Sequence, residues 1–374
     1  QGATLEAIGN DKAKFPLLSG IATPSETLVL GFGLGPTGRL GRGLSTALSA
    51  PYMSVEFGLI SSFHLPSEKQ FNFSLIVDDI GVFYNTSEPS RLERILDNGL
   101  GAQADALISR ARDFTARVVE HRITKYNNAD DVVLPPRGAH RRRILVVDQT
   151  SGDLSITHGQ CDRYSFEDML DHALAQPEVE VLLKPHPEAL AGAKGANFDL
   201  ATLKQRRNLT IIDKPCNIFS LITQVDEVYV MTSGVGLEAL MANVPVRCFG
   251  APFYAGRGLT TDMVAPLRPR RAVSIEELVA AVFFCCHQFY DPDSRLPVTP
   301  EACLDALIPK LQRRHALLSI GGRLVRYDRE DKHERHYLEV EGKAHGTIDG
   351  KIAQAFIRPG DVVVDAGANV GYTA

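Results

Sequence analysis

Three stretches of this sequence bring reactive side chains together. Asp148-Gln149-Thr150-Ser151-Gly152-Asp153 offers two carboxylates, with an amide, two hydroxyls and a glycine between them. The apolar run 144–147 before it suits a buried parallel strand, and ligands in open α/β sheets sit at the carboxyl ends of strands. A plain polar turn is the competing reading, because Asp, Ser and Gly favour turns for local reasons. Lys184-Pro185-His186-Pro187-Glu188 comes after a second apolar run, and flanking prolines fix the backbone of its histidine. Lys184 and His186 together can neutralise a phosphate leaving group, whereas a solvated loop histidine is the plainer alternative. Thr232-Ser233-Gly234 ends a third run just before a helix, where hydroxyls and free N–H groups form an anion site or an ordinary N-cap. Glu238, one turn in, can contact a ribose or oppose the helix dipole.

The elements that position these groups are read from periodicity. Strands are expected over 28–30, 51–55 and 73–77, with 82–84 as a pairing segment, and helices over 45–50, 90–97 and 102–124. The glycines 31, 33, 35 and 38 lack the strict spacing of a dinucleotide turn, and they suit either a weak nucleotide signal or a flexible loop facing a cleft. Residues 130–143, with Pro135-Pro136, read as a linker. Alternation then restarts, with strands over 144–147, 179–183, 209–212, 227–230 and 246–249. Helices are expected over 166–175, 218–222 and 236–242, and one long helix over 275–290. The fold class is therefore α/β, a GT-B-like pair of Rossmann-like halves, 1–135 and 136–300, around a cleft. Residues 248–262, rich in glycine and aromatics, shape a pocket or serve as a turn-rich connector. Asp291-Pro292-Asp293 reads as a turn rather than a metal motif.

The chain has 374 residues, 44% hydrophobic and 23% charged, with net charge −5. These values suit a folded protein of several domains and argue against a nucleic-acid binder driven by overall charge. Six cysteines show no disulfide framework and no metal-ligand spacing, so no metal is expected and a reducing cytoplasm fits. No run of 18 apolar residues marks a membrane span. Arg268, Arg270 and Arg271 suit either an anionic lipid surface or a solvated loop.

Taken together, these pieces resemble the capsule polysaccharide biosynthesis family, whose characterised members include retaining β-Kdo glycosyltransferases. The resemblance runs from about Leu28 to Asp262, through SLIVDDIGVFYNTSEPSRLE, TKYN at 124–127, VVDQTSGD, KPHPE and TSGVGLEALMANVPVRCFGAPFYAGRGLTTD. It implies transfer of Kdo from CMP-Kdo to a lipid-linked or polysaccharide acceptor, with no cofactor. The family's QTxxD aspartate falls on Asp153, its histidine-proline pair on His186-Pro187 and its threonine-serine pair on Thr232-Ser233. Its Glu-Asp-Gly motif falls on Glu56-Phe57-Gly58, without the middle acid. Ser61-Ser62 stand where an arginine is usual, and Arg257 where a tryptophan is common.

Retention needs two inversions and hence a nucleophile. Asp153 is expected in that role, with Glu56 as base and His186 as a third catalytic residue. Lys184, Pro187, Thr232, Ser233, Gly234, Glu238 and Gln149 are expected to bind the donor, and Asp148 and Lys125 to support the site. The donor's carboxylate also calls for a cation or N–H groups. Partners implied are capsule assembly or export proteins and peripheral contact with the inner face of the cytoplasmic membrane. A non-catalytic scaffold that binds nucleotide sugar or glycan is the alternative, kept open by the altered Glu56 motif.

After a linker at 301–317, residues 318–374 resemble the opening of an FkbM-type methyltransferase, with strands expected at 323–327 and 336–340. Asp365, Gly367, Asn369 and Gly371 in VVVDAGANVGYTA match its first S-adenosylmethionine-binding motif. An incomplete, inactive domain of a bifunctional parent is the expectation.

Overall fold

A computed structural model describes residues 27–137 and 142–312, and the backbone of 315–320 and 323–328. The chain divides into two compact units, Gln1–Leu304 and Asp305–Ala374.

The first unit opens with β1 (Val29–Phe32), α1 (Pro36–Leu48), β2 (Tyr52–Phe57), β3 (Ser74–Asp78), α2 (Arg91–Asn98) and α3 (Ala104–Glu120). α1 begins at Pro36, nine residues before the helix expected there. Proline suits that first position because its missing N–H would have no helical partner anyway. β1 and β2 run parallel, but β3 is antiparallel to β2. Residues 82–84 form no strand. Asp78 Oδ1 accepts the N–H groups of Ile80 and Gly81 at 2.8 and 2.7 Å and turns the chain there instead.

The second sheet is built from β4 (Arg142–Val147), α4 (Leu154–His158), α5 (Phe166–Leu174), β5 (Val179–Lys184), α6 (Pro187–Leu190), α7 (Leu200–Leu203) and β6 (Leu209–Ile211). It continues through α8 (Ile218–Ile222), β7 (Glu227–Val230), α9 (Val235–Met241), β8 (Val246–Cys248) and β9 (Thr261–Asp262). Its strands lie in the order β6-β5-β4-β7-β8-β9, all parallel. Covered on both faces, β4 buries Ile144, Leu145 and Val146 completely, which is why its sequence runs apolar without alternation. α5 starts from a Ser165–Asp168 capping box and packs Met169, Leu170 and Ala173 onto this sheet. Each fully buried aliphatic side chain there contributes about 1.5–3 kcal/mol over an exposed one.

The linker around 130–137 is docked rather than free. Val132 and Leu134 donate their N–H groups to Ser220 Oγ and Gln224 Oε1 on and beside α8.

The single helix expected over 275–290 does not form. α10 (Ile275–Val279) passes into a π-helix, Ala280–Cys286, and then into β10 (His287–Tyr290), which pairs antiparallel with β3. His287 fixes this transition by accepting Leu59 N–H on Nε2 at 3.0 Å, its Nδ1 2.7 Å from Val282 O. β11 (Pro297–Val298) completes a mixed sheet of order β1-β2-β3-β10-β11. The first half is thus not a plain Rossmann unit, and it recruits strands from beyond residue 286. Asp291 Oδ1 accepts from Asp293 and Ser294 N–H, which makes the acidic pair a turn. Paired α/β sheets of GT-B type facing one cleft remain the architecture.

Residues 301–312, expected as linker, belong to a helix, α11 (Pro300–Gln312). In the second unit β12 (His315–Ile320) and β13 (Arg323–Asp328) form an antiparallel hairpin. The strand expected at 336–340 lies outside the described residues, as do Asp365, Gly367, Asn369 and Gly371.

Candidate functional site

Both sheets of the first unit present their loops to a cavity of about 650 Å³. Asp153, Glu56, His186, Lys125, Thr232, Ser233 and Glu238 all line it, so most of the residues expected to do chemistry come together.

Asp153 is the N-cap of α4. Its Oδ1 accepts Ser155 N–H at 2.8 Å, and among the described residues Oδ2 has no partner. Gly152, at φ +77, supplies the left-handed turn that delivers it. Gln149 was expected to bind the donor, but its amide is fully engaged inside the protein. Nε2 donates to Ser155 Oγ and Thr232 Oγ1, both at 3.1 Å, while Oε1 accepts Thr232 N–H at 2.9 Å. This network ties the loop after β4 to the loop after β7 and holds Ser155 where it fixes Asp153. Asp148 is buried; Oδ1 accepts Gln149 N–H and Asn197 Nδ2, and burial pushes its carboxyl above the usual range.

Lys184 lines the cavity, but backbone carbonyls hold its ammonium. Its ammonium donates to Ile212 O and Lys214 O at 3.3 and 2.9 Å, and burial lowers its pKa. His186 caps α6, with Nδ1 accepting Glu188 N–H at 3.1 Å. Burial, aided by the nearby Lys125 charge, lowers its pKa to about 4. It is therefore a neutral imidazole carrying its proton on Nε2, a hydrogen-bond donor rather than the cation expected. Pro187 starts α6 beside it. Glu188 is buried against Ser67 N–H at 2.8 Å and Lys194 at 2.7 Å, which joins α6 to the first half.

At the start of α9, Ser233 O accepts the Tyr254 hydroxyl at 2.5 Å, and Ser233 Oγ accepts Val235 N–H. Gly236 admits that ring, since a Cβ there would lie 2.1 Å from the Tyr254 oxygen. Gly234 is the N-cap residue and lines the cavity. Glu238 accepts the Thr124 hydroxyl and Lys125 N–H, and burial raises its pKa to about 7. It links the two halves.

Glu56 sits at the end of β2 with its pKa raised, chiefly by burial and further by the Asp153 charge. Tyr84 and Lys125 pull it back. Tyr84 donates to Glu56 Oε1 at 2.7 Å and accepts Leu34 N–H at 3.2 Å. Sequence reasoning missed Tyr84. The signal was in the glycine run: Gly33 has φ +51, and a Cβ there would lie 1.9 Å from Glu56 Oε1. That glycine clears space for the carboxylate and its tyrosine.

Lys125 lines the same cavity. Burial disfavours its charge, but Tyr126, Asp153 and Glu56 outweigh that and raise its pKa. Its backbone is held where Ser61 and Ser62 N–H donate to Lys125 O. Among the described residues no three His, Cys, Asp or Glu side chains converge as a metal site requires. No described helix is long and apolar enough to cross a membrane.

The arginines expected at a lipid surface or in a solvated loop are structural. Arg268 grips Glu93 at 2.5 Å, Arg270 donates to Pro252 O and Ala255 O, and Arg271 donates to Leu96 O. Arg257 is buried against Asp97 at 2.7 Å.

A family model described as capsule polysaccharide biosynthesis protein matches residues 28–284. The capsule polysaccharide modification protein LipA of Neisseria meningitidis serogroup B is 32% identical over 278 residues, 71% of this chain and 39% of that one. The lipopolysaccharide-processing protein LpsZ of Rhizobium meliloti is 34% identical over 279 residues, 73% of this chain and 59% of that one. The chain thus spans less than two thirds of the length of either relative. The solved structure of Thermosulfurimonas dismutans KpsC, a beta Kdo 2,4 transferase, is 33% identical with a TM-score of 0.69, covering 75% of this chain and 86% of that one.

Proposed function

The chain belongs to the capsule polysaccharide biosynthesis protein family, and from that premise we propose that it transfers Kdo, or a similar ulosonic acid, from a CMP-sugar to a capsule or other surface glycan. The similar structure is that of a beta Kdo transferase, which supports the donor class. The observation that carries the mechanism is the placement of Asp153 and Glu56 in one cavity, close enough for the Asp153 charge to act on Glu56.

Transfer proceeds with retention in two displacements. Asp153, held through Oδ1, attacks the anomeric carbon with Oδ2 as the bond to the phosphate oxygen breaks and its electron pair leaves with CMP. His186 donates its Nε2 proton as a hydrogen bond to the departing phosphate, beside the Ser233 hydroxyl at the start of α9. The acceptor hydroxyl then attacks from the side CMP vacated. Its proton passes to Glu56, and Asp153 leaves as a carboxylate. A carboxyl with a raised pKa suits the base role.

Rapid mixing with CMP-Kdo and an acceptor glycan tests this reading. Asp153→Ala should lose transfer by at least about a thousandfold, since a residue forming a covalent intermediate has no substitute. Near-normal transfer would remove the nucleophile assignment, and a wild type that binds donor without releasing CMP would favour a scaffold. Methyl transfer is supported by the Asp365–Gly371 sequence motif alone, and a titration with S-adenosylmethionine tests it.

A further inference from the structure

Four side chains of Lys or His type line the cavity, and three of them are engaged elsewhere or uncharged. Lys184 is held by two backbone carbonyls, Lys194 is paired with Glu188 at 2.7 Å, and His186 is neutral. No arginine lines the cavity among the described residues. Ser61 and Ser62, which stand where an arginine is usual, are buried, with their hydroxyls on Asn72 Oδ1 and His64 O. Lys125 is the cavity lysine that neither backbone carbonyls nor a carboxylate engage: no described carboxylate lies within ion-pair distance of its ammonium.

Its position is built. The isolated bridge between Ser62 and Tyr126 and the bonds from Ser61 and Ser62 N–H to Lys125 O stitch its loop to the first sheet. Asn127 accepts Thr124 N–H and donates to Thr124 O, closing the turn beneath it. The side chain lies against the Tyr126 ring, with Nζ 5.5 Å from the centroid. It feels both Asp153 and Glu56, the groups placed on opposite faces of the anomeric carbon in the proposed reaction.

We propose that Lys125 binds the carboxylate of the donor sugar and thereby selects donors that carry an acid on the anomeric carbon. The inference rests on the proposed transfer reaction. In an in-line displacement, nucleophile and leaving group occupy the two axial positions, and the remaining substituents spread around the equator. Lys125 lines the same cavity as both axial residues, so its ammonium can meet a substituent at the equator, where the carboxylate of a 2-ulosonic acid projects. An aldose has only hydrogen there. Enclosing that carboxylate without a partner would be strongly unfavourable, so an ammonium with no carboxylate of its own at this point gives selection by charge as well as attraction.

Calorimetric titration with CMP and with CMP-Kdo separates the possibilities, because CMP carries the phosphate but no carboxylate. Donor binding is measured in an Asp153→Asn background to prevent turnover. Lys125→Met in that background should bind CMP within about twofold of the parent and CMP-Kdo about 10- to 100-fold more weakly, the range for losing a charged hydrogen bond. Lys125→Arg should recover much of the CMP-Kdo affinity, which a packing role does not predict. Equal losses for CMP and CMP-Kdo would move the lysine to the phosphate and overturn the proposal. So would unchanged CMP-Kdo binding with only the pH profile of transfer displaced, which would make Lys125 a tuner of Glu56. A parent protein that binds CMP but not CMP-Kdo would refute the donor assignment itself, a separate failure.

Discussion

Removing one oxygen atom, in Tyr84→Phe, tests whether Glu56 acts as a base. The Tyr84 hydroxyl donates to Glu56 Oε1 at 2.7 Å and is itself oriented by Leu34 N–H at 3.2 Å. Burial raises the Glu56 pKa, the Asp153 charge adds to that, and the Tyr84 hydrogen bond and the Lys125 charge oppose both. Without the hydroxyl one opposing influence is gone, so the pKa rises further and more of the carboxyl is protonated at neutral pH. A protonated Glu56 cannot take the acceptor's proton. A hydrogen bond to a charged group is worth about 1.5–3 kcal/mol, which sets an upper bound of about 10- to 150-fold on the loss of transfer rate. The acid limb of the pH profile for transfer should move to higher pH, while adduct formation at Asp153 without acceptor stays at the wild-type rate. Thermal melting shows whether the variant is folded. A folded Tyr84→Phe enzyme with wild-type transfer and an unmoved acid limb would refute the reasoning.

Two further outcomes concern stability. Glu238 has a folded pKa of about 7 against an ordinary 4.5, so its contribution to stability is fully present below 4.5 and lost as pH rises through 7. Glu238→Gln keeps an acceptor oxygen at this point and should flatten that decline by about 3 kcal/mol in chemical denaturation on either side of the window, whereas a parallel pH dependence in the two proteins would contradict it. Asp97→Ala leaves the guanidinium of Arg257, 1% exposed, without its carboxylate, and should destabilise the fold by about 3 kcal/mol in the same assay. A loss below about 0.5 kcal/mol, typical of an exposed pair, would show that the backbone carbonyls of Phe253 and Arg271 suffice for Arg257.

The second sheet was legible because its chemistry is uniform. Strands buried on both faces must be apolar throughout, and 144–147, 179–183 and 227–230 fall inside β4, β5 and β7. The first sheet was less so. Ala-Ala-Val-Phe-Phe-Cys-Cys at 280–286 is apolar all round and reads as one buried helix. Residues 287–290 nevertheless become a strand, because β3 offers an edge more than two hundred residues earlier in the chain. No local pattern records such an edge. Residue types at the site were legible, but the direction of each side chain was not. Lys184 and His186 stand two apart at one strand end, and only the packing turns the first onto carbonyls and leaves the second neutral. Gly33 is a case where the pattern carried the information and its meaning lay elsewhere, in a carboxylate on the neighbouring strand.

What the folded structure adds is a reason for each unengaged atom. Polar groups around Asp153 are almost all satisfied by one another: Gln149 by Thr232 and Ser155, Ser155 by Asp153, and Tyr254 by Ser233. A buried network of this kind leaves its members little freedom to rotate, because any rotation strands a donor or an acceptor. Atoms it leaves over in the cleft are therefore held in place, among them Asp153 Oδ2, the His186 Nε2 proton, the Ser233 hydroxyl and the Lys125 ammonium. In the proposed reaction these meet an electrophilic carbon, a phosphate and a carboxylate, so selectivity for that donor lies less in the number of contacts the cleft offers than in which atoms the network leaves over.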